Sequence, residues 1–294
     1  VTGSAVDPIV EALRAAGCVW AEDEAVLLRE AAVGSDQSAL DRLVARRCAG
    51  EPLEHVVGWA EFAGHRVRVV APVFVPRRRT EALVEVAIAH AVARDTVGGG
   101  DGPLRVVDLC CGSGALGLAV STALRPTRQV LLAAGDVDVD AVACARTNLT
   151  DPDDRVAVGD LFDVVPVDWR GHVDVLLANV PYVPTAEVVH LPAEARVHER
   201  AVALDGGSDG LDLFRRVVAE APDWLAAGGT LFSEIADDQV DAAVDALQAA
   251  RLTATVHHDK ERDALVVVGT QASGPDQPQR IIGRSAGTSS TSSS

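Results

Sequence analysis

Asn179, Val180, Pro181 and Tyr182 hold the only tyrosine of the 294-residue chain and one of its two asparagines. The Asn amide carries an acceptor and two donors, and the Val180 carbonyl adds a second acceptor one residue on. Two acceptors placed this way can hold an NH2 group by both of its hydrogens. Amide and aromatic amino nitrogens have delocalised lone pairs, as peptide resonance illustrates, and are poor nucleophiles. Holding such a nitrogen roughly 3–3.5 Å from an electrophilic carbon lets positioning replace basicity. Tyr182 would offer its flat face to a planar amide or base. The competing reading, an Asn turn with Tyr182 as packing, leaves a second constellation upstream unexplained.

That constellation is "VVDLCCGSGALGLA", in which Gly112, Gly114 and Gly117 form G-x-G-x-x-G on the way from a strand into a helix. At the first strand-to-helix turn of a doubly wound sheet it places backbone N–H groups and a helix N-terminus beside a ligand. A bare tight turn, a dinucleotide and S-adenosylmethionine are all compatible with the glycines, so the acids decide. Asp108, four residues before Gly112, would repel a pyrophosphate and attract a sulfonium with its ammonium group. Asp136 closes the second strand, where it could accept from both ribose hydroxyls. Asp160 closes the third, where an adenine amino group needs an acceptor and Leu161 and Phe162 could pack on the ring. Three carboxylates at successive strand ends fit S-adenosylmethionine better than NAD. Cys110 and Cys111 read as small, buried residues at a crowded turn.

The elements that position these residues are legible in the periodicity. From Pro8 to about Gly50, apolar residues at three- and four-residue spacing predict a small helical unit with Gly17, Gly34 and Gly50 as stops. "EFAGHRVRVVAPVFVPR" alternates and is interrupted by Pro72 and Pro76, a short hairpin or extended connector. A helix follows over "TEALVEVAIAHAVARD", then the glycine run Val97 to Gly102. Beyond it strands and helices alternate: "LRVVDL", a helix from Ala115, "QVLLAAGDV", a helix from Asp140, "RVAVGDL", "VDVLLAN", a helix from Leu213, "GGTLFSEI" and a helix from Gln239. This order predicts an α/β, doubly wound, Rossmann-like sheet with helices on both faces. "TATVHHD" and "ALVVVGT", joined by the charged turn "KERD", predict an antiparallel last pair. From Gln271 the chain loses periodicity and reads as a disordered tail.

Composition narrows the chemistry. A net charge of −17, with no arginine concentration beyond "VPRRRTE" at Val75 to Glu81, disfavours an extended nucleic-acid face. Five cysteines without C-x-x-C spacing fit free thiols, and His257 and His258 have no cysteine pair nearby, so no metal site is expected. No basic segment precedes an apolar run, and no stretch of about 18 uncharged apolar residues occurs. The reading is a cytoplasmic protein without a membrane segment.

"ANVPYVP" resembles the N-P-P-Y motif of amino-group methyltransferases. With "EPLEHVVGWAEFAGHRVRV", "VFVPRRRTEALVE", "VVDLCCGSGALGLA", "ALDGGSDGLDLFRRV" and "LAAGGTLFSEI", the chain up to about Thr270 resembles the HemK/PrmC protein-(glutamine-N(5)) methyltransferases. The resemblance implies a helical substrate-recognition domain over 1–54, a connector hairpin over 55–79 and a class I catalytic domain over 80–270, before the tail 271–294. It also implies a protein partner, since the family's substrate is the glutamine of the Gly-Gly-Gln loop in peptide-chain release factors; a monomer is expected. Residue by residue, the cofactor loop falls on Cys110, Cys111, Gly112, Ser113 and Gly114. The ribose acid falls on Asp136, the adenine side on Asp160 and Leu161, and the glutamine-binding tetrapeptide on Asn179 to Tyr182, with Asn179 beside the cofactor as well. Three positions depart from the pattern. Val180 replaces a proline, an entropic difference of only ~0.4–1 kcal/mol, and Pro181 still restrains it toward an extended conformation. Cys110 stands where glycine is usual, and "PRRRTE" where a Pro-Glu pair precedes Thr-Glu. Another amino or amide acceptor, such as a ribosomal protein glutamine or a small metabolite, and a non-catalytic cofactor-binding scaffold are the alternatives.

Overall fold

The computed structural model describes residues 7–96 and 102–273; most of the glycine run and the tail from Gly274 lie outside the described residues. Four helices come first: α1 (Pro8–Ala15), α2 (Ala21–Ala31), α3 (Gln37–Cys48) and α4 (Leu53–Val57). The starts of α1 and α3 follow from capping, since the Asp7 carboxylate accepts from the Ile9 amide at 3.0 Å and the Asp36 carboxylate from the Ala39 amide at 2.9 Å. Leu13, Ala25, Leu28 and Val56 form their shared core. Strands β1 (Trp59–Phe62) and β2 (His65–Arg68) then make an antiparallel hairpin, and α5 (Glu81–Thr96) leads to the main sheet.

That sheet contains β3 (Leu104–Leu109), β4 (Val130–Asp136), β5 (Asp154–Val158), β6 (Val173–Ala178), β7 (Leu225–Ile235), β8 (Thr253–Asp259) and β9 (Ala264–Thr270). The connecting helices are α6 (Ala115–Leu124), α7 (Val139–Asn148), α8 (Ala193–His198), α9 (Asp212–Trp224) and α10 (Val240–Ala249). The strand order is β5-β4-β3-β6-β7-β9-β8, parallel except for β9, which runs antiparallel to both β7 and β8. Both faces are covered, so β3 and β6 read as nearly continuous apolar runs. Val106, Leu132 and Leu177 face α5 and α6, whereas Val107, Leu176 and Leu231 face α9 and α10. Each fully buried leucine of this set contributes about 1.5–3 kcal/mol.

The chain runs from β3 outward through β4 to β5, then returns to β6 on the other side of β3. This reversal opens a crevice beyond the carboxyl ends of β3 and β6, where ligands of such sheets bind. The third strand stops at Val158 rather than at Asp160: the Gly159 amide makes the last ladder bond, to the Asp136 carbonyl at 3.0 Å, and a short 3-10 helix, Leu161–Val164, then begins.

Candidate active site

A cavity of about 670 Å³ fills the crevice. Its floor is the turn after β3. Cys110 adopts φ +54°, in the left-handed region that favours glycine, which gives a physical reason for the glycine usual at this position. Gly112 and Gly114 have φ +53° and +76°, and Gly114 caps α6. The Asp136 carboxylate is oriented by two backbone amides, Gly112 at 3.0 Å and Asp138 at 2.9 Å, which leaves half of its lone-pair sites for a ligand. Burial raises its carboxyl, against the pull of those amides.

Asp108 lies behind this floor, fully buried, and is absent from the lining. Its Oδ2 accepts the Gly117 amide at 2.9 Å, while Oδ1 has no partner. Burial pushes its carboxyl up to about 7, opposed by the Gly117 hydrogen bond and helped by the charge of Asp136. Gly117 keeps this packing close, since a Cβ there would sit 3.0 Å from Asp108 Oδ2 and 3.1 Å from Leu132, and both side chains would have to give way.

Asp160 and Leu161 line the far side, with Asp160 paired to Arg216 at 2.7 Å. Phe162 does not join them. It stacks on Trp224 at 5.4 Å in the core beneath α9, because Leu161, at φ +47°, turns the next side chain inward. The thiols of Cys110 and Cys111 are both raised by burial and by the neighbouring carboxylates, so they stay protonated and inert.

The opposite wall is the turn after β6. Asn179, Val180, Pro181 and Tyr182 all line the cavity, and the buried Asn179 Oδ1 has no hydrogen-bond partner. An orphaned buried acceptor costs about 1–3 kcal/mol, so this one marks a place for a donor. Tyr182 is pinned at both ends: its Oη donates to Glu234 at 2.9 Å, and its carbonyl accepts from Gln239 Nε2 at 2.8 Å. Burial and the Glu234 charge push its phenol up.

Several residues of this wall went unread in the sequence. Gly206 and Gly210 press on the turn from outside: a Cβ on Gly206 would lie 2.6 Å from the Pro181 carbonyl, and one on Gly210 2.1 Å from the Tyr182 carbonyl. The stretch "DGGSDG" is therefore a backbone-to-backbone seat for the tetrapeptide. Leu191, Pro192, Ala195, Arg200, Val202 and Leu204 form a strap over the opening. It is tied to α7 by Arg200 with Asp138 at 2.8 Å and with Asp140, and to the connector by Arg77 with Glu199 at 2.6 Å. Glu194 meets Arg47 of the helical unit at 2.6 Å, and the same guanidinium holds Glu24.

The lining thus offers carboxylates for hydroxyls and cations, apolar walls for a ring and little positive charge beneath the glycine loop. A cationic nucleoside fits this donor set and a pyrophosphate does not. With the strand order, these features define a class I methyltransferase that uses S-adenosylmethionine. Residues 101–207 match the methyltransferase small domain family. A release factor glutamine methyltransferase from Mycolicibacterium smegmatis is 34% identical, over 83% of this chain and 87% of that protein. One from Geobacter sulfurreducens is 37% identical over 69% of this chain and 66% of its own length. A ribosomal protein uL3 glutamine methyltransferase from Bordetella pertussis is 37% identical over 75% and 71%. The chain belongs to the protein-(glutamine-N(5)) methyltransferase family. Among the described residues, no helix is long and apolar enough to cross a membrane.

Proposed function

We propose that the chain transfers a methyl group from S-adenosylmethionine to the side-chain amide nitrogen of a glutamine in the Gly-Gly-Gln loop of a peptide-chain release factor. The observation that carries this reading is the unpartnered, buried Asn179 Oδ1 in the same cavity as the glycine loop. S-adenosylmethionine supplies an electrophilic methyl carbon on a sulfonium. Asp136 would hold the ribose, the Cys110–Gly114 turn the amino-acid part, and Leu161 the ring. Asn179 Oδ1 and the Val180 carbonyl would accept the two amide hydrogens, fixing the nitrogen lone pair toward the methyl carbon. Tyr182 would lie along the amide plane, its ring fixed by its phenol. No strong base is needed, because the nitrogen that took the methyl, with the sulfur leaving as a neutral thioether, would be a cationic amide still bearing both hydrogens, acidic enough to shed one to water.

The helical unit would contact the protein substrate, being tied to the cavity strap through Arg47 and Glu194. A ribosomal protein glutamine is a second reading, favoured by the similarity to the uL3-modifying relative. Mass spectrometry of release factor and of uL3, each incubated with enzyme and cofactor, decides between them: a glutamine 14 Da heavier, about one methylene, is expected on the release factor. Asn179→Ala is expected to lower that modification by about 10²-fold or more, the scale on which lost positioning acts. Unchanged methylation in this variant would remove Asn179 from the mechanism.

A further inference from the structure

We infer that Glu234 is a positioning residue for methyl transfer, acting through Tyr182 to set the plane against which the substrate amide lies. The inference rests on the proposed acceptor role of Asn179 to Tyr182. Leu177 on β6 pairs with Phe232 on β7, so two residues further on, Asn179 and Glu234 come abreast at the strand ends. Their side chains share a face by the two-residue period of strands. The Glu234 side chain is 0% exposed. It is surrounded by three groups: Tyr182 Oη at 2.9 Å on Oε1, Thr80 Oγ1 at 2.6 Å on Oε2, and Arg79 Nε 2.6 Å from Oε1. The Arg79 contact is an ion pair in distance without the alignment of a hydrogen bond.

Burying a carboxylate costs several kcal/mol before its partners offset it, and an apolar residue would fill this place more cheaply. What the carboxylate does that an apolar residue cannot is accept only. Tyr182 must then donate, and its ring is fixed about both side-chain torsions while Gln239 fixes its carbonyl. Arg79, the last residue of the connector, and Thr80 beside it hold the carboxylate from the segment "PRRRTE". Glu234 is not in the cavity lining and so does not touch the substrate position itself.

The single tyrosine gives this inference a direct readout. In full-length protein with isotope-labelled tyrosine, the NMR ring signals report Tyr182 alone. Glu234→Gln is expected to move and broaden them, because the new amide can donate where only acceptance occurred. In the same variant kcat on release factor should fall about tenfold, the scale of a lost charged hydrogen bond, while the S-adenosylmethionine dissociation constant stays put. Tyr182→Phe should lower kcat similarly, and the double variant should lose no more than either single one. Unmoved tyrosine signals, full kcat in either single variant, or additive losses would each overturn the inference; if Glu234→Gln fails to fold, full kcat in Tyr182→Phe alone does so. Should the unmutated protein methylate no release factor, the functional reading fails, and the tyrosine signals still decide whether Glu234 sets the ring.

Discussion

Asp136 is oriented by amides of its own turn and of the neighbouring strand end, whereas Tyr182 is held by Glu234 and Gln239, 52 and 57 residues away. The floor of the cavity is assembled from short contiguous pieces, each stabilised locally by backbone hydrogen bonds. The acceptor wall is assembled from Thr80, Asn179 to Tyr182, Gly206, Gly210, Glu234 and Gln239, of which only Gly206 and Gly210 share a loop. A local wall loses affinity in steps when one group is removed. A wall of remote parts in mutual contact fails as a unit, because each group fixes the next.

Gly210→Ala breaks this contrast hardest. Its Cβ would meet the Tyr182 carbonyl at 2.1 Å from a backbone with φ +78°, so the tetrapeptide must move. We expect methyl transfer to fall by about 10²-fold or more, with cofactor affinity, measured by calorimetry, nearly unchanged. Asp136→Asn attacks the floor. The amide can accept from only one of the two backbone N–H groups and loses its charge, so cofactor affinity should weaken by about 10- to 100-fold, equivalent to a charged hydrogen bond of ~1.5–3 kcal/mol. The kcat at saturating cofactor should stay near that of the unmutated protein. If kcat fell as steeply as affinity, the two walls would not be separable.

The smallest effect concerns Asp108. Its carboxyl is raised from 3.8 to about 7, so between these values the folded protein holds a proton that the unfolded chain has released. The resulting stability is present below the lower value and is lost as pH rises through the upper one. Asp108→Asn keeps an acceptor for the Gly117 amide and cannot ionise. Its melting temperature should therefore gain on that of the unmutated protein as pH climbs across this window, and a constant offset would contradict the assignment.

The legibility of the two walls in the sequence follows the same division. The glycine turn, Asp136 and the β6 turn are contiguous patterns whose strand-end positions follow from alternation, and the antiparallel β8 and β9 follow from the short turn between them. Phe162 was expected beside the cofactor because it follows Leu161; a left-handed Leu161 sends it into the core instead. Asp108 was expected to face the ligand, yet the close approach of Gly117 places it behind the turn. The stretch "ALDGGSDGLDLFRRV" was recognisable without its purpose being so, since only in three dimensions do Gly206 and Gly210 meet the carbonyls of Pro181 and Tyr182. Glu234, Gln239 and Thr80 sit in unremarkable local contexts, and no periodicity marks residues that meet across 154 positions.

That separation also has a consequence for synthesis. Contacts between distant residues must overcome loop-closure entropy and form late in folding, and chains emerge from the ribosome N-terminal end first. Thr80 leaves the ribosome long before Glu234, and until β7 arrives its hydroxyl and the phenol of Tyr182 have no common acceptor. The glycine turn, whose Ser113 carbonyl accepts from Asn148 at 2.8 Å, is complete once α7 has emerged and waits on no partner as remote as β7. The acceptor wall is thus the last part of the cavity to close on a growing chain.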